Sequence, residues 1–390
     1  MQLDLTSRPD TLPSTDNTSD RIRDCMRHRL LLVALVLFGC ATAPRTITRS
    51  GPTTVEAEPW PEADLLFRGD PLWLGGEGGY SIDLGNQRVL WLFGNSLIGG
   101  SGNRDRSHST LVYNTVAVQN GYDPSLARIS FEWRRSGARP GSFFRREGQD
   151  WYWPGHGILL DNVLLIFLMK VGKSEKAPGY DIYGWTAVRI TNPQESPDHW
   201  KMQMLDTPAN EMNVIVGSGG VGSKDGYLYA LSAQEPTTHD TYLVRWKVAS
   251  AKNGDLSRPE WWLGAESGWA EQRNMTHPPV PIFTGGQTEL TVHEDRLTGQ
   301  LFEIQTDGIG GAGIARRTSP TVTGPWSQPE TFYNPPESTR PDILIQQAKA
   351  HPELHGADLV LTYIPSHRDF ATIVTDTTLY YPRFVKGTLR

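Results

Sequence analysis

Short apolar runs alternate with turn-forming residues along most of the chain. The five strongest runs are rich in β-branched and aromatic residues, a composition typical of strands. They are Val89–Phe93, Val163–Phe167, Tyr227–Leu231, Leu301–Ile304 and Leu359–Tyr363. They recur about every 67 residues, the length of one four-stranded blade with long loops. The pattern predicts an all-β fold, a five-bladed β-propeller over residues 59–390, because five equal units fit the main alternative, a β-sandwich, poorly.

A turn precedes each apolar run, as Gly85-Asn86 does before Val89–Phe93. These turns predict that each run is the inner strand of its blade, entered through a hairpin. The last blade, ending at Tyr380–Val385, is predicted to be completed by a strand from the N-terminal part of the domain. Such closure leaves no exposed sheet edge between the first and last blades.

The composition supports an all-β fold and excludes one class of binding partner. The chain has 390 residues with 39 Gly and 28 Pro, which favour turns, and 13 Trp, 13 Tyr and 12 Phe, which favour strands. The formal net charge is −6. This balance excludes a protein that binds nucleic acid through a basic face, so nucleic acid is not predicted as a partner.

The first 58 residues have the layout of targeting signals. Residues 1–25 are polar and are interpreted as an upstream extension before a true start at Met26. A cationic segment and an apolar run too short to span a membrane follow, and Leu37-Phe38-Gly39-Cys40 resembles the bacterial lipobox. Residues 26–40 are therefore predicted to be a lipoprotein signal peptide, with Cys40 lipidated, and residues 41–58 a flexible tether. The protein is expected to be lipid-anchored in the bacterial cell envelope, at the outer membrane or cell surface; an ordinary signal peptide is the alternative.

Seven motifs rich in Gly and aromatic residues lie between and within the strands. They are Gly75–Ser81, Leu90–Ser96, Tyr113–Ala117, Trp153–Gly157, Thr323–Ser327, Ala348–Leu354 and Tyr380–Phe384. Together they resemble the bacterial family called domain of unknown function 4185, which includes endo-D-arabinanases, over the whole domain. The resemblance implies a five-bladed propeller and hydrolysis of a furanose-containing polysaccharide.

Two positions depart from the pattern of that family. It has Asp at the positions that hold Glu77 and Asn95 here. Glycoside hydrolysis uses two carboxyl groups, one to protonate the leaving oxygen and one to act as nucleophile or base, and an amide does neither. Two hypotheses follow: a glycoside hydrolase-like enzyme whose second carboxyl group comes from elsewhere, or a catalytically silent carbohydrate-binding lipoprotein.

Polar residues that border apolar strands are the candidate site, because strand ends from several blades meet in one central funnel. The candidate catalytic residues are Glu77, Glu289 and Asp307, and the candidate substrate-binding residues are Asn95, His108, Asn114, Trp153, His156, Lys349 and His351. Each also has a structural interpretation, as a turn residue or in packing between blades. The expected ligand is a polysaccharide or oligosaccharide, on whose rings an aromatic side chain such as Trp153 would stack.

No cofactor is predicted. The glycines of Gly217–Lys224 resemble those of a phosphate-binding loop, but this segment leads into a strand, where such a loop requires a helix. The ten His residues include no zinc-binding spacing, and Cys25 and Cys40 do not form a cluster, so no metal is predicted either.

Overall fold

The computed structural model describes residues 54–390, apart from 101, 103, 147, 177–178, 210, 236–237 and 309–312. The predicted upstream extension, the signal peptide with Cys40, and the predicted tether as far as residue 53 lie outside the described residues. Within the described part of the chain, no helix has the length and apolar character needed to cross a membrane.

Five antiparallel sheets contain nearly all of the strands. A first strand, β1 (Val55–Pro59), precedes blade 1, which contains β2 (Trp73–Gly85), β3 (Arg88–Ile98), β4 (Thr110–Val112), β5 (Thr115–Asn120) and β6 (Arg128–Glu132). A separate hairpin of β7 (Arg134–Ser136) and β8 (Arg139–Gly141) leads to blade 2, with β9 (Trp151–Leu160), β10 (Val163–Lys173), β11 (Tyr180–Ile190) and β12 (Met202–Leu205).

The remaining three blades follow in chain order. Blade 3 contains β13 (Val214–Ile215), β14 (Val221–Lys224), β15 (Tyr227–Gln234), β16 (Thr241–Lys247), β17 (Glu260–Trp262) and β18 (Trp269–Glu271). Blade 4 contains β19 (Thr291–Glu294), β20 (Leu301–Thr306), β21 (Ile314–Ser319) and β22 (Glu330–Tyr333), and blade 5 contains β23 (Ile343–Ala350), β24 (Leu359–His367) and β25 (Arg383–Leu389). The short α-helices are α1 (Pro61–Asp64), α2 (Val248–Lys252) and α3 (Phe370–Thr375), and the 3-10 helices are Leu65–Arg68, Arg106–His108, Pro197–His199, Gln272–Asn274 and Pro336–Thr339.

The first strands of successive blades form a closed ring. Strand β2 contacts β9, β9 contacts β14, β14 contacts β19, β19 contacts β23, and β23 returns to β2. These five strands therefore surround the central axis, and the predicted all-β five-bladed propeller is confirmed.

The turns before the five apolar runs predicted that these runs are the innermost strands, and this prediction is wrong. They form the second strands, β3, β10, β15, β20 and β24. A second strand has a neighbour on each edge and another blade on each face, so nearly every residue of Val89–Phe93 is fully buried. An innermost strand lines the axis instead, where space favours small and polar residues, and Gly75–Ser81 has that composition.

Strand β1 completes the last blade, which confirms the predicted closure. It pairs antiparallel with β25 from Val55 opposite Leu389 to Pro59 opposite Val385. Glu58 and Lys386 reinforce the pairing with an ion pair of 3.2 Å. The propeller therefore begins at Val55, inside the segment expected to be a tether, because residues 55–58 pair as an edge strand despite their short, polar sequence.

We expect removal of β1 to weaken the whole propeller. A chain beginning at Trp60 leaves the edge of β25 unpaired and separates the first blade from the last. Compared with a chain beginning at Thr54, its thermal midpoint should fall by more than about 4 °C, the shift that 1–2 kcal/mol produces in a domain of this size. Equal midpoints in differential scanning calorimetry would show that closure by β1 does not stabilise the fold.

Candidate active site in the central funnel

A pocket of about 650 Å³ opens at the end of the propeller where the inner strands begin. All five blades contribute to it. Its wall is formed by Glu77, Gly94, Trp153, Met169, Lys176, Tyr180, Asp181, Ile182, Glu235, His239, Gln287, Thr288, Glu289, Thr306, Gly308, Ile345, Gln346 and Gln347. The predicted convergence of strand ends therefore occurs, and it brings together three of the predicted residues, Glu77, Trp153 and Glu289.

An interruption in the β2–β3 ladder accompanies the placement of Glu77 at the pocket. Gly76 pairs with Ser96 and Gly78 with Phe93, so Glu77 has no partner across the ladder. Gly78 has a φ of +88°, and a Cβ there would lie 3.0 Å from the Gly94 nitrogen. Its N–H donates to the Gln347 side-chain oxygen at 2.7 Å across the axis. Blade 5 thereby holds the bulge that presents Glu77.

Two donors enclose the Glu77 carboxyl group, and no cation of the described residues forms an ion pair with it. The Tyr380 hydroxyl and the Asn95 side chain hydrogen-bond to the carboxyl group, and the hydroxyl also lies 3.3 Å from the Asn95 backbone carbonyl oxygen. Asn95 Oδ1 accepts the Trp153 indole N–H at 2.9 Å, so the amide nitrogen faces Glu77. Burial, with the nearby charge of Glu289, raises the pKa of Glu77 to about 7, although both hydrogen bonds act to lower it. Asn95 thus orients Glu77 and Trp153 from beside the pocket.

Glu289 forms an ion pair beneath the pocket with Lys349. The Lys349 ammonium is completely buried and lies 3.0 Å from Glu289 Oε2. It also donates to the carbonyls of Gly78 at 3.1 Å and Gln347 at 3.3 Å. Burial lowers the pKa of Lys349, and Glu289 opposes that shift. Lys349 was predicted to contact substrate, but in the structure it contacts Glu289 and the backbone that carries Glu77.

A third carboxylate, Glu235, also lines the pocket and was missed by the sequence analysis. It directly follows β15 and accepts hydrogen bonds from Thr288 Oγ1 and from His239, whose Nδ1 lies 3.0 Å away. Glu235 raises the pKa of His239, chiefly through this hydrogen bond. Glu235 comes shortly after the apolar run Tyr227–Leu231, as Asn95 does after Val89–Phe93, and this placement is a signal that was available in the sequence.

Two predicted residues lie outside the pocket at exposed turns. His108 is exposed in a 3-10 helix, with its Nδ1 2.8 Å from Asp105 Oδ2. Asp307 is exposed in the turn after β20, where it accepts the Thr331 hydroxyl at 2.6 Å. Neither side chain lines the pocket, so only Glu77 and Glu289 of the three predicted catalytic residues do.

Two further predicted residues are structural links, Asn114 fully buried and His156 partly buried. Asn114 donates to the carbonyls of Phe144 and Tyr152 and accepts the Phe144 N–H at 2.7 Å, so its amide is fully used in joining blades 1 and 2. His156 accepts the Val221 N–H at 2.9 Å, and burial lowers the pKa of its imidazole to about 4. Both residues hold strands together.

His351 is enclosed in the same way. Its two ring nitrogens lie 2.5 Å from Ser81 Oγ and 2.7 Å from Thr362 Oγ1, and burial holds its pKa well below the usual range. Both nitrogens are therefore occupied by side chains within the propeller. In the part of the chain that the structure describes, no three His, Cys, Asp or Glu side chains form a group that could hold a metal ion.

Tyr380 reaches Glu77 because its backbone is clamped against β2. Its carbonyl accepts the Gly76 N–H at 2.9 Å, and its φ is +66°. Gly75 must be glycine here, since a Cβ would lie 2.3 Å from the Tyr380 oxygen. The buried Arg106 guanidinium joins the two segments by donating to the carbonyls of Leu74 and Leu379.

Replacing Tyr380 by Phe is expected to raise the pKa of Glu77 above its value of about 7. The hydroxyl stabilises the ionised carboxylate, so its loss favours the protonated form. A ¹³C titration of labelled glutamate carboxyls measures the change, with the Glu77 signal assigned by its absence in Glu77→Gln. Tyr381→Phe is the matched control and should leave that signal unchanged. An unchanged or lower pKa in Tyr380→Phe would contradict the assigned hydrogen bond.

The fold and parts of the sequence match known proteins. A solved structure from Bacteroides ovatus, described as that of a candidate hydrolase, is 16% identical with a TM-score of 0.67, covering 85% of this chain and 90% of that one. Two likenesses are weaker. The catalytic domain of a GH62 α-L-arabinofuranosidase from Coprinopsis cinerea is 9% identical with a TM-score of 0.46, covering 81% of this chain and 92% of that one. A GH43 protein from Bacillus licheniformis is 12% identical with a TM-score of 0.42, covering 86% of this chain and 54% of that one. The first likeness shows a shared fold. No curated protein sequence matches the chain.

The family assignment comes from sequence over almost the whole propeller. Residues 62–387 match the model of the domain of unknown function DUF5005. The likeness of the seven motifs to the domain of unknown function 4185 remains a sequence resemblance. Because the match extends over far more than half of its length, the chain belongs to the DUF5005 family.

Proposed function

We propose that this protein is a glycoside hydrolase whose two working carboxyl groups are Glu77 and Glu289. One observation carries the proposal: the same pocket holds a glutamate without a cation, whose pKa is raised to about 7, and a glutamate ion-paired with a buried lysine. When the surroundings favour the protonated form of one carboxyl group and the ionised form of another, the first is suited to act as acid and the second as base or nucleophile.

In the proposed reaction, Glu77 transfers its proton to the glycosidic oxygen as the bond from that oxygen to the anomeric carbon breaks. The ionised Glu289 either attacks the anomeric carbon or removes a proton from the attacking water. Trp153, fixed by Asn95, and Tyr180, 4.7 Å away between ring centres, offer aromatic surface for a sugar ring. Glu235 and His239 supply hydrogen-bonding groups at another part of the same wall.

The proposed substrate is a furanose-containing polysaccharide, cleaved in the manner of an endo-D-arabinanase. Support for the furanose comes from the seven sequence motifs, and the pocket volume accommodates more than one sugar unit. The test is release of reducing ends from linear D-arabinan and from pyranose-based xylan. We expect release from arabinan at a rate well above that from xylan, and the reverse preference would contradict the furanose assignment.

A carbohydrate-binding protein without catalysis is the second candidate function. It is favoured by Asn95, whose amide stands where the resembled family has a carboxylate and is fully engaged with Glu77 and Trp153. If wild type binds arabinan without cleaving it and Asn95→Asp gains cleavage, this second function is correct. The hydrolase proposal expects a wild type that cleaves and an Asn95→Asp variant that gains nothing.

We further propose that the protein is a lipoprotein of the bacterial cell envelope, anchored through Cys40. The layout of residues 26–40 supports this proposal. Metabolic labelling with a fatty acid should mark wild type and not Cys40→Ser. Label that persists in Cys40→Ser would contradict the anchor without affecting the proposed catalytic site.

A further inference from the structure

The connection between blades 1 and 2 is unusually basic. Residues 134–146, called here the arginine segment, contain five arginines and neither Asp nor Glu, in a chain whose net charge is −6. The arginines are Arg134, Arg135, Arg139, Arg145 and Arg146. The segment includes the β7–β8 hairpin, which belongs to none of the five blades. A single-sign cluster on an acidic protein creates a local positive field that attracts anions.

Two of these arginines hold the segment in place. Arg134 lies 4.5 Å above the ring centre of the buried Phe143 and donates to the Asp198 carbonyl at 3.3 Å. Arg146 forms an ion pair of 3.4 Å with Asp150. The guanidinium groups of these two arginines contact other parts of the protein and so hold the segment against it.

The other three arginines face solvent. Arg135, Arg139 and Arg145 are exposed, and none of them forms an ion pair with a carboxylate of the described residues. Arg145 donates to the Arg135 carbonyl, which ties the two sides of the segment together. These three guanidinium groups therefore face solvent without an ion pair to any described residue, which makes them the groups of this segment that can bind an anion.

The arginine segment lies at the funnel end of the propeller. It connects the last strand of blade 1 to Trp151, at the beginning of inner strand β9, where the pocket opens. Ser142 Oγ accepts the Tyr113 N–H at 3.0 Å, and the Tyr113 ring stacks on Trp151 with centres 4.4 Å apart. Trp151 in turn contacts Trp153 in the pocket wall, with ring centres 6.1 Å apart. A polymer that leaves the pocket over blade 2 passes this segment.

Charge differs sharply between the pocket and the arginine segment. The pocket wall mixes the carboxyl groups of Glu77, Asp181, Glu235 and Glu289 with the side chains of Lys176 and His239, and Lys349 pairs with Glu289, whereas the arginine segment carries cations alone. Exposed guanidinium groups bind carboxylates through paired hydrogen bonds. We propose that the arginine segment binds the carboxylate groups of an acidic polysaccharide, whose neutral units enter the funnel.

This inference deepens the proposed function and rests on it for the choice of a glycan. The same end of the propeller carries both the pocket mouth and the arginine segment, so an anionic lipid surface bound to the segment would cover the funnel. A glycan chain can occupy the pocket with one part and contact the arginine segment with another. The observations therefore favour a glycan over a membrane.

The parent protein for the test is Glu77→Gln, which is not expected to cleave a bound glycan. Its binding of polygalacturonate is compared with its binding of the fully methyl-esterified polymer, which carries no charge. The test variant adds Arg135→Gln, Arg139→Gln and Arg145→Gln. The matched control adds Arg128→Gln, Lys201→Gln and Arg296→Gln, which remove three exposed cations elsewhere. We expect the test variant to raise the Kd for polygalacturonate about tenfold or more, as three partly screened ion pairs allow, and the control variant to change it less than about twofold.

Added salt should weaken the binding of polygalacturonate to the parent protein and have little effect on the test variant. The proposal is overturned if the parent protein binds both forms of the polymer equally, or if the test variant binds polygalacturonate as tightly as the parent. Arginine-dependent binding to vesicles of anionic phospholipid without binding to polygalacturonate would likewise overturn it in favour of a membrane. With the Glu77 side chain intact, the three arginine substitutions should leave cleavage of short neutral arabino-oligosaccharides unchanged. Failure of hydrolysis alone thus contradicts the proposed function, and failure of binding alone contradicts this inference.

Discussion

Replacing Glu77 by Gln is expected to lower kcat on arabinan by about 10²–10⁴-fold while sugar binding survives. Gln has nearly the same shape as Glu and still accepts a hydrogen bond from Tyr380. It has no proton to transfer to the leaving oxygen, so the loss appears in the chemical step. Steady-state kinetics and titration calorimetry measure the two quantities separately.

Glu353→Gln is the matched control for this substitution. Burial raises the pKa of Glu353 to about 7, as for Glu77, but Glu353 does not line the pocket. Its substitution should leave kcat within about twofold, since removal of a group that takes no part in the reaction costs little transition-state stabilisation. If Glu77→Gln retains full activity, Glu77 is not the acid, and Glu235 becomes the residue to test.

Replacing Lys349 by Met is expected to destabilise the propeller by about 3–5 kcal/mol, the cost of leaving one partner of a buried ion pair without the other. Lys349 is completely buried, whereas the side chain of Glu289 is 14% exposed toward the pocket. The substitution also removes the donor to the Gly78 carbonyl, so the bulge that presents Glu77 loses a support. The rate of hydrolysis should therefore fall together with the free energy of unfolding.

The double variant Lys349→Met, Glu289→Gln separates these two effects. With both charges removed, no ion is left unpaired, so the free energy of unfolding in urea should return part of the way toward wild type. Activity should stay low because the second carboxyl group is missing. If Lys349→Met alone unfolds at the wild-type urea concentration, the ion pair has no structural role.

The fold was predictable because its strongest signal is local. Second strands such as Val89–Phe93 are apolar throughout, and their spacing indicates the number of blades. Their assignment as inner strands was wrong because continuous hydrophobicity reports burial on both faces and carries no information about distance from the axis. Residues 55–58 of the polar strand Val55–Pro59 were included in the tether because the stability of this strand comes from pairing with Arg383–Leu389, more than 300 residues away.

The site was predictable in part. Glu77, Trp153 and Glu289 lie near the beginnings of innermost strands, and all three line the pocket. Glu235 was missed, although it also follows an apolar strand. His156 and His351 resemble site residues in sequence, but their ring nitrogens are occupied by other groups of the propeller: Val221 of blade 3 for His156, and Ser81 of blade 1 and Thr362 of blade 5 for His351. Only the tertiary arrangement separates these linking histidines from groups that face substrate.

The pH dependence of kcat/KM on D-arabinan shows whether Glu77 works as the acid. This quantity reports the ionisation of the free enzyme. Glu77 acts in its protonated form, and its pKa is raised to about 7, so the active form predominates below that pH. We expect kcat/KM to decline above about pH 7, by about tenfold for each pH unit. A kcat/KM that instead rises through pH 7 would show that Glu77 works ionised, and the assignment of acid and base would be contradicted.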